Sequence, residues 1–300
     1  MKLKPEFKGY LYAIIALTAM ANVYIFSKAA LQEMTMNQFG LYWFSFALVW
    51  IVLFALYKKT FSEFKKLSKK TIVILLFLSS MEIIGTYFFY KAIQVIPNPS
   101  IVAFIGNLSP AFVILLSVLI FKERYNWMET MGILLALVGA FIVSYRDSLD
   151  LSQMFIYGTQ FVIISNLQGA INAIVIKHNI AKLNPIIITI TRVTFLLIFY
   201  IILFDWQTDS LNISNKGLIN VMLGSFLGPF LAGVAGYMSY KYIKISRKAI
   251  LDSFKGLLVL IGAFIYFGKL PEVNAIYGGL ISIVGVLFIA YGKMKLSKKD

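Results

Sequence analysis

The sequence predicts an all-α polytopic membrane protein: ten transmembrane helices arranged as two inverted five-helix repeats. Three observations predict it. Of the 300 residues, 60% are hydrophobic and 14% are charged, against about 45–50% and about 25% in soluble domains. The apolar residues fall into ten runs, each near the roughly 20 residues that cross a bilayer. And the sequence partly matches itself when shifted by 150 residues.

The same composition sets aside several function classes. The formal net charge of +15 suits anionic headgroups better than nucleic acid, because the charges cluster in short loops between apolar runs. There is no cysteine, which excludes disulfides, Cys-ligated zinc and thiol nucleophiles. The sole histidine, His178, sits beside Lys177 at a helix end. No Ser-His-Asp set or Gly-rich phosphate loop occurs, and the loops are too short for a soluble domain. No cofactor and no metal are expected. The expected partners are a small-molecule substrate and membrane lipids, with no nucleic acid and the chain acting as a monomer.

The spans run in order. Residues 9–29 follow a basic start and contain Ala19-Met20-Ala21, which imitates a signal-peptide cleavage site. Apolar residues continue to Ala30, which favours a first membrane helix, and Asn22 lies within it. Residues 37–57 form an unbroken apolar run. Residues 71–91 carry Glu82 at their middle, followed by Gly85 and Thr86. Residues 100–121 carry Asn107 and Ser109 just before Pro110, and a proline frees the carbonyl four residues back, here Gly106. Residues 127–145 are Gly-containing and apolar. Residues 153–176 place Ser165, Gln168, Gly169 and Asn172 on one face. Residues 185–204 hold Arg192 near their middle. Residues 217–240 contain Gly228-Pro229, a second kink that serves as hinge, cavity acceptor or packing. Residues 249–268 carry Asp252 and Lys255 three residues apart, on one stripe with Gly256, Val259 and Gly262. Residues 274–292 close the set.

Alternate loops divide the basic residues. Of 28 Lys and Arg, 21 fall on one side, including Lys58, Lys59, Lys65, Lys66, Lys69 and Lys70 in a single loop. The positive-inside rule then places both termini in the cytoplasm, the inner face of the cell membrane if the source is bacterial. An even number of spans follows.

The internal match is collinear. "TYFFYKAI" (86–93) lies over "GYMSYKYI" (236–243), and Asn22 over Asn172. After a four-residue deletion, "GILLALVGAFIVSY" (132–145) lies over "GGLISIVGVLFIAY" (278–291). The halves are expected at 1–146 and 147–300. Five helices per half is an odd number, so the second copy is inverted, with Lys91 outside and Lys241 inside.

The stretch from Val102 to Tyr145, with Pro110, the Glu123-Arg124 corner, Gly132 and Gly139, resembles the drug/metabolite transporter superfamily in its EamA-type exporter branch. Its degenerate copy lies near the C-terminus, where "FGKLPE" places Lys269 in the corner and Leu260 replaces a second proline. The resemblance implies secondary transport of small metabolites, usually outward and often of amino acids, and no enzyme activity.

Charged groups at helix centres cost roughly 2.5–3.5 kcal/mol each on insertion scales and commonly mark a solute pathway. The candidate substrate-binding residues are therefore Asn22, Glu82, Asn107, Gln168, Asn172, Arg192, Asp252 and Lys255. Gly106, Pro110, Gly228 and Pro229 are candidate hinge or cavity backbone. Each has a plainer reading beside it. Lys255 can snorkel to the headgroups, Asp252 can pair with Arg247 or Lys248, Arg192 can form a structural pair with Asp252, and amides can simply join helices. Within the carrier reading, an amino acid or related zwitterion suits a pocket of both signs. A larger anionic or purine-containing metabolite is the alternative substrate. A membrane enzyme acting on lipid-linked substrates is the alternative class.

Overall fold

The structure is a computed structural model that describes residues 5–121, 126–145, 155–181, 183–207 and 209–296. The Glu123-Arg124 corner lies outside the described residues. Every described element longer than an isolated bridge is helical: α1 (Pro5–Leu31), α2 (Met36–Tyr57), the one-turn α3 (Phe61–Phe64), α4 (Lys69–Val95), α5 (Pro99–Ile105), α6 (Ser109–Phe121), α7 (Trp127–Ser144), α8 (Thr159–Asn179), α9 (Pro185–Leu203), α10 (Asn215–Ser225), α11 (Gly233–Tyr242), α12 (Ile245–Ser253), α13 (Lys255–Phe267) and α14 (Val273–Leu296). Among the described residues, eight helices are long and apolar enough to cross a membrane. The chain is an all-α polytopic membrane protein.

The two remaining predicted runs are helical but divided. Run 100–121 is split into α5 and α6 by a 3₁₀ turn over Gly106–Leu108. That turn places Pro110 in the first turn of α6, where its missing N–H costs nothing. The Gly106 carbonyl, expected to be freed by Pro110, accepts the Ser109 N–H instead. Run 249–268 breaks at Phe254, so Asp252 lies in the last turn of one helix and Lys255 opens the next. Run 217–240 stays continuous but widens to a π-helix over Phe226–Ala232 around Pro229. There the Gly233 N–H reaches back to the Gly228 carbonyl, so Gly228 also has a backbone partner.

Side-chain caps explain where several helices start. Thr35 and Gln38 form a reciprocal capping box on α2, and Asn126 and Glu129 do so on α7. Asn98-Pro99 and Asn184-Pro185 open α5 and α9 with an amide cap followed by a proline that has no N–H to lose.

The chain forms two compact units that do not coincide with its sequence halves. One comprises Met1–Thr86 and Val175–Tyr242; the other comprises Tyr87–Ile174 and Ile243–Asp300. In the first unit, α1 packs along α10, the π segment and α11, while α2 packs on α9. Small residues allow these approaches: Ala13, Ala16, Ala19 and Ala21 of α1 are buried, and Gly224 of α10 receives the fully buried ring of Trp43. A second core joins Leu75 and Leu78 of α4 to Ile180, Ile187 and Ile188, with Tyr237 and Tyr240 against it.

In the second unit α7 and α14 lie backbone to backbone. A Cβ on Gly132 would fall 2.6 Å from the Gly285 carbonyl oxygen, and one on Gly139 would fall 2.6 Å from that of Gly278. Residue 132 thus opposes 285 while 139 opposes 278, so the two helices run antiparallel. In lipid, apolar side chains gain little by leaving their surroundings, and close van der Waals packing of small residues takes over. Phe104, fully buried, wedges its ring against Gly256 of α13 and Gly279 of α14.

Candidate functional site

The first unit brings two membrane-buried charges together. Glu82 stands at the centre of α4, 13 residues from either end, or about 20 Å at 1.5 Å per residue. Arg192 is the eighth residue of the 19-residue α9. The Arg192 Nε lies 2.9 Å from the Glu82 Oε1, with side chains 19% and 16% exposed. The Nε–H does not point at that oxygen, so this contact is a charge pair rather than an aligned hydrogen bond. At an effective dielectric of about 20, such a pair is worth about 4 kcal/mol, which offsets the larger part of the roughly 5–7 kcal/mol that inserting both charges costs.

Two neighbours hold the pair in place. Thr86, one turn along α4, donates its hydroxyl to the Glu82 Oε1 at 3.2 Å. Tyr237 of α11 accepts from the Arg192 Nη1 at 3.3 Å. The guanidinium lies beside Gly233 of α11, where a Cβ would sit in ordinary contact, 3.6 Å from Nη1. One side of the guanidinium thus faces a carboxylate and one end faces a phenol. Nearer the helix end, the Lys177 ammonium donates to the Tyr240 carbonyl at 2.8 Å, satisfying an acceptor in the last turn of α11.

Asn22, on α1 of the same unit, donates to the Thr18 carbonyl in its own helix at 2.9 Å. The other candidates belong to the second unit. Asn107 is buried and donates to the Ser282 hydroxyl at 2.9 Å, tying the 3₁₀ turn to α14. Gln168 and Asn172 are both buried on α8. Asp252 pairs with Lys248 one turn back on α12. Lys255 is half-buried at the start of α13. Its stripe-mates Gly256 and Val259 are buried, and Gly256 is used for packing on Phe104. Pro110 and Pro229 lie at the 3₁₀ turn and the π segment described above.

Sequence reasoning overlooked three polar groups, the partly buried Tyr237 and the buried Glu129 and Lys28. In the sequence repeat Tyr237 lies over Tyr87, and nothing local marks it as the partner of Arg192. Glu129 is fully buried; its place three residues after Asn126 marks it as a capping-box acid. Lys28 is 6% exposed near the end of α1, with no local pattern to announce it. Among the described residues, no group of three or more His, Asp or Glu could hold a metal.

The sequence profile of the EamA-like transporter family matches residues 7–145 and again residues 156–291. The chain belongs to the EamA-like transporter family. An uncharacterized transporter of Synechocystis sp. is 24% identical over 67% of this chain and 60% of its own length. An uncharacterized transporter of Archaeoglobus fulgidus is 28% identical over 52% of this chain and 53% of its own length. This family member therefore spans a little over half the length of those curated relatives. A crystal structure described only as "Crystal structure of protein" shares the fold, with a TM-score of 0.63 over 98% of both chains at 13% identity. In this EamA-like chain, the Glu82–Arg192 pair stands within two of the eight apolar helices.

Proposed function

We propose that the protein is a secondary transporter, working as an exporter, for small carboxylate-bearing metabolites, with amino acids and their relatives as the leading class. Membership of the EamA-like family supports the transport reading. The observation that carries the substrate reading is the mid-helix pair of Arg192 and Glu82. A guanidinium with one donor held by a phenol is suited to a carboxylate, and an acid beside it suits an amine.

The layout proposed is ten spans in two inverted halves, with both termini cytoplasmic. Two features support it. The same family profile matches once in each half. And the α7–α14 contact has the reciprocity of a two-fold axis: Gly132 meets Gly285 and Gly139 meets Gly278, while in the sequence repeat Gly132 corresponds to Gly278 and Gly139 to Gly285. Isologous contacts pair residue i with j and j with i. Alternating access without ATP would use such halves, with the π segment at Pro229 and the 3₁₀ turn before Pro110 as the pliable points.

Counterflow in proteoliposomes tests this reading. Loaded vesicles are challenged with labelled amino acids, N-acetyl amino acids, amino-acid amides and purine nucleotides. Exchange of carboxylate-bearing compounds that Arg192→Met loses is the expected result. Exchange confined to amides, or unaffected by Arg192→Met, rejects the substrate class; chemically altered product identifies an enzyme.

A further inference from the structure

We propose that the loop joining α2 to α4 is a binding site for an anionic phospholipid, with the phosphate held among its lysines and the acyl chains laid on the apolar helix faces beside it. The proposal is independent of what the protein transports.

Six lysines stand between positions 58 and 70: Lys58, Lys59, Lys65, Lys66, Lys69 and Lys70. All six are exposed. The one acid among them, Glu63, already accepts a hydrogen bond at 2.8 Å from the side-chain amide of Asn184, the cap of α9. Among the described residues, none of the six lysines forms an ion pair. The Lys58 ammonium lies over the Tyr57 and Phe54 rings, 4.9 Å and 5.6 Å from their centroids, which keeps it at the apolar edge of the cluster. Six cations beside one engaged carboxylate call for anions from outside the chain.

The loop is built to a fixed shape. α2 ends in a left-handed turn at Lys59, whose φ is 53°. The Lys59 N–H donates to the Leu56 carbonyl at 3.0 Å and the Thr60 N–H to the Ala55 carbonyl at 2.9 Å. Glycine is the usual residue at the left-handed position of such a helix end. Lys59 is the one non-glycine residue of positive φ among the described residues, in a conformation that L side chains resist. Strain of this kind persists where the surroundings enforce it and is concentrated at functional positions. Here the surroundings are well packed. Thr60 is buried, Phe64 and Leu67 pack on the core that holds Leu75, Leu183 and Ile187, and Phe64 also meets the core of Ile51, Ala55 and Ile190. The side chain that ties α2, α4 and α9 together thus also fixes the backbone that carries the lysines.

The neighbouring surface selects a lipid. Leu53, Leu56 and Tyr57 of α2 and Ile72, Val73 and Leu76 of α4 are all exposed, on two helices long and apolar enough to cross a membrane. A soluble acidic ligand would meet the lysines and leave these side chains uncovered. A phospholipid satisfies both, with its phosphate at the ammonium groups and its chains along the helices. Every cation of the loop is a lysine, a compact point charge that meets a single phosphate without the planar fork of arginine.

The test uses purified full-length protein in dodecyl maltoside and four probes: palmitoyl-oleoyl phosphatidylglycerol, phosphatidylcholine with the same chains, glycerophosphoglycerol (the headgroup without chains) and inorganic phosphate. Native mass spectrometry measures lipid retained, and unfolding scans measure the shift in melting temperature. Phosphatidylglycerol is expected to bind about tenfold more tightly than phosphatidylcholine, the effect of one to two lysines at an anionic surface. The preference should vanish in 1 M salt, where the screening length falls to about 3 Å. The fourfold variant Lys65→Gln, Lys66→Gln, Lys69→Gln, Lys70→Gln should bring the two lipids to within about twofold of one another. Substituting Gln for Lys293, Lys295, Lys298 and Lys299 lowers the net charge equally and should leave the preference intact. Lys59→Gly should raise the melting temperature in lipid-free detergent, by relieving the turn, yet shrink the shift that phosphatidylglycerol produces.

Equal retention of the two lipids by the wild type overturns the proposal. So does an equal loss of preference in the tail variant, which makes net charge alone responsible. A melting shift from glycerophosphoglycerol or phosphate that matches that of phosphatidylglycerol replaces the lipid with a soluble anion. Where the fourfold variant fails to fold, the salt series and Lys59→Gly decide.

Discussion

Arg192 and Glu82 lie 2.9 Å apart, 110 residues from one another in sequence and each deep within its helix. The pair lets two charges stay in a membrane that would reject either alone. Breaking it from one side should therefore harm the protein more than removing both. Arg192→Met is expected to destabilise by about 3–5 kcal/mol, and the double variant Glu82→Gln, Arg192→Met by clearly less. Thermal or denaturant unfolding in detergent micelles, read as a double-mutant cycle, measures the difference. Additive effects would mean the two side chains do not depend on one another.

The Gly139–Gly278 contact makes a steric prediction. Gly139→Val should force α7 and α14 apart, because a Cβ there already falls 2.5 Å from the Ser282 backbone nitrogen. Overpacking of this kind costs typically 1–3 kcal/mol, occasionally more. Gly169 is the control, since nothing lies within 4 Å of a Cβ at that position. Gly169→Ala should stabilise by up to about 1 kcal/mol, the cost of a glycine within a helix. Melting temperatures of the two variants should move in opposite directions.

The inverted-repeat proposal fixes sidedness. Lys91 and Lys241 correspond in the repeat and should lie on opposite faces of the membrane. The chain has no cysteine, so cysteines placed at 91 and 241 can be labelled without background. Labelling of both from the same side removes the inversion.

Lys255 separates pocket from anchor. If it belongs to the substrate path, Lys255→Met should weaken transport at least tenfold while the protein folds and inserts normally. Unchanged kinetics assign it to the headgroups. Asp252 already has Lys248 as its partner, so Asp252→Asn should tell first on stability.

Outside the spans, Glu33 accepts from Lys216 and Ser214, which holds its carboxyl below the usual glutamate range. A lowered carboxylate stabilises the fold above its unfolded-state value, about 4.3, and that contribution is lost as pH falls through the folded value. Wild type should be slightly more stable than Glu33→Gln near neutral pH. The difference should disappear in acid, as thermal scans from pH 7 to 3 would record.

Which parts of this were legible beforehand follows a physical line. Apolar length is a local property, so the runs containing α1, α2, α4 and α9 could be read directly. Gly106 and Pro110 announced an irregularity in run 100–121, though not that it would tighten into a 3₁₀ turn, whereas the break at Phe254 could not be read, because Phe is no helix breaker. Pro229 announced an irregularity, but not that it would widen into a π-helix. For Arg192 the sequence offered two acids, Glu82 at the middle of its run and Asp252 near the start of its own. The choice depended on which helix lay beside α9.

By itself the sequence determined a many-spanning helical membrane chain, its likeness to the EamA-like family, and which few charged residues would have to be compensated. Hydropathy and charge act residue by residue, so they survive in a linear string. Only the tertiary structure decided that Arg192 pairs with Glu82, that Tyr237 holds its other end, and that Gly132 meets Gly285 rather than its repeat-mate Gly278. Those outcomes depend on helix faces meeting in space, and a charge or a glycine carries no record in its own sequence neighbourhood of the face it will meet.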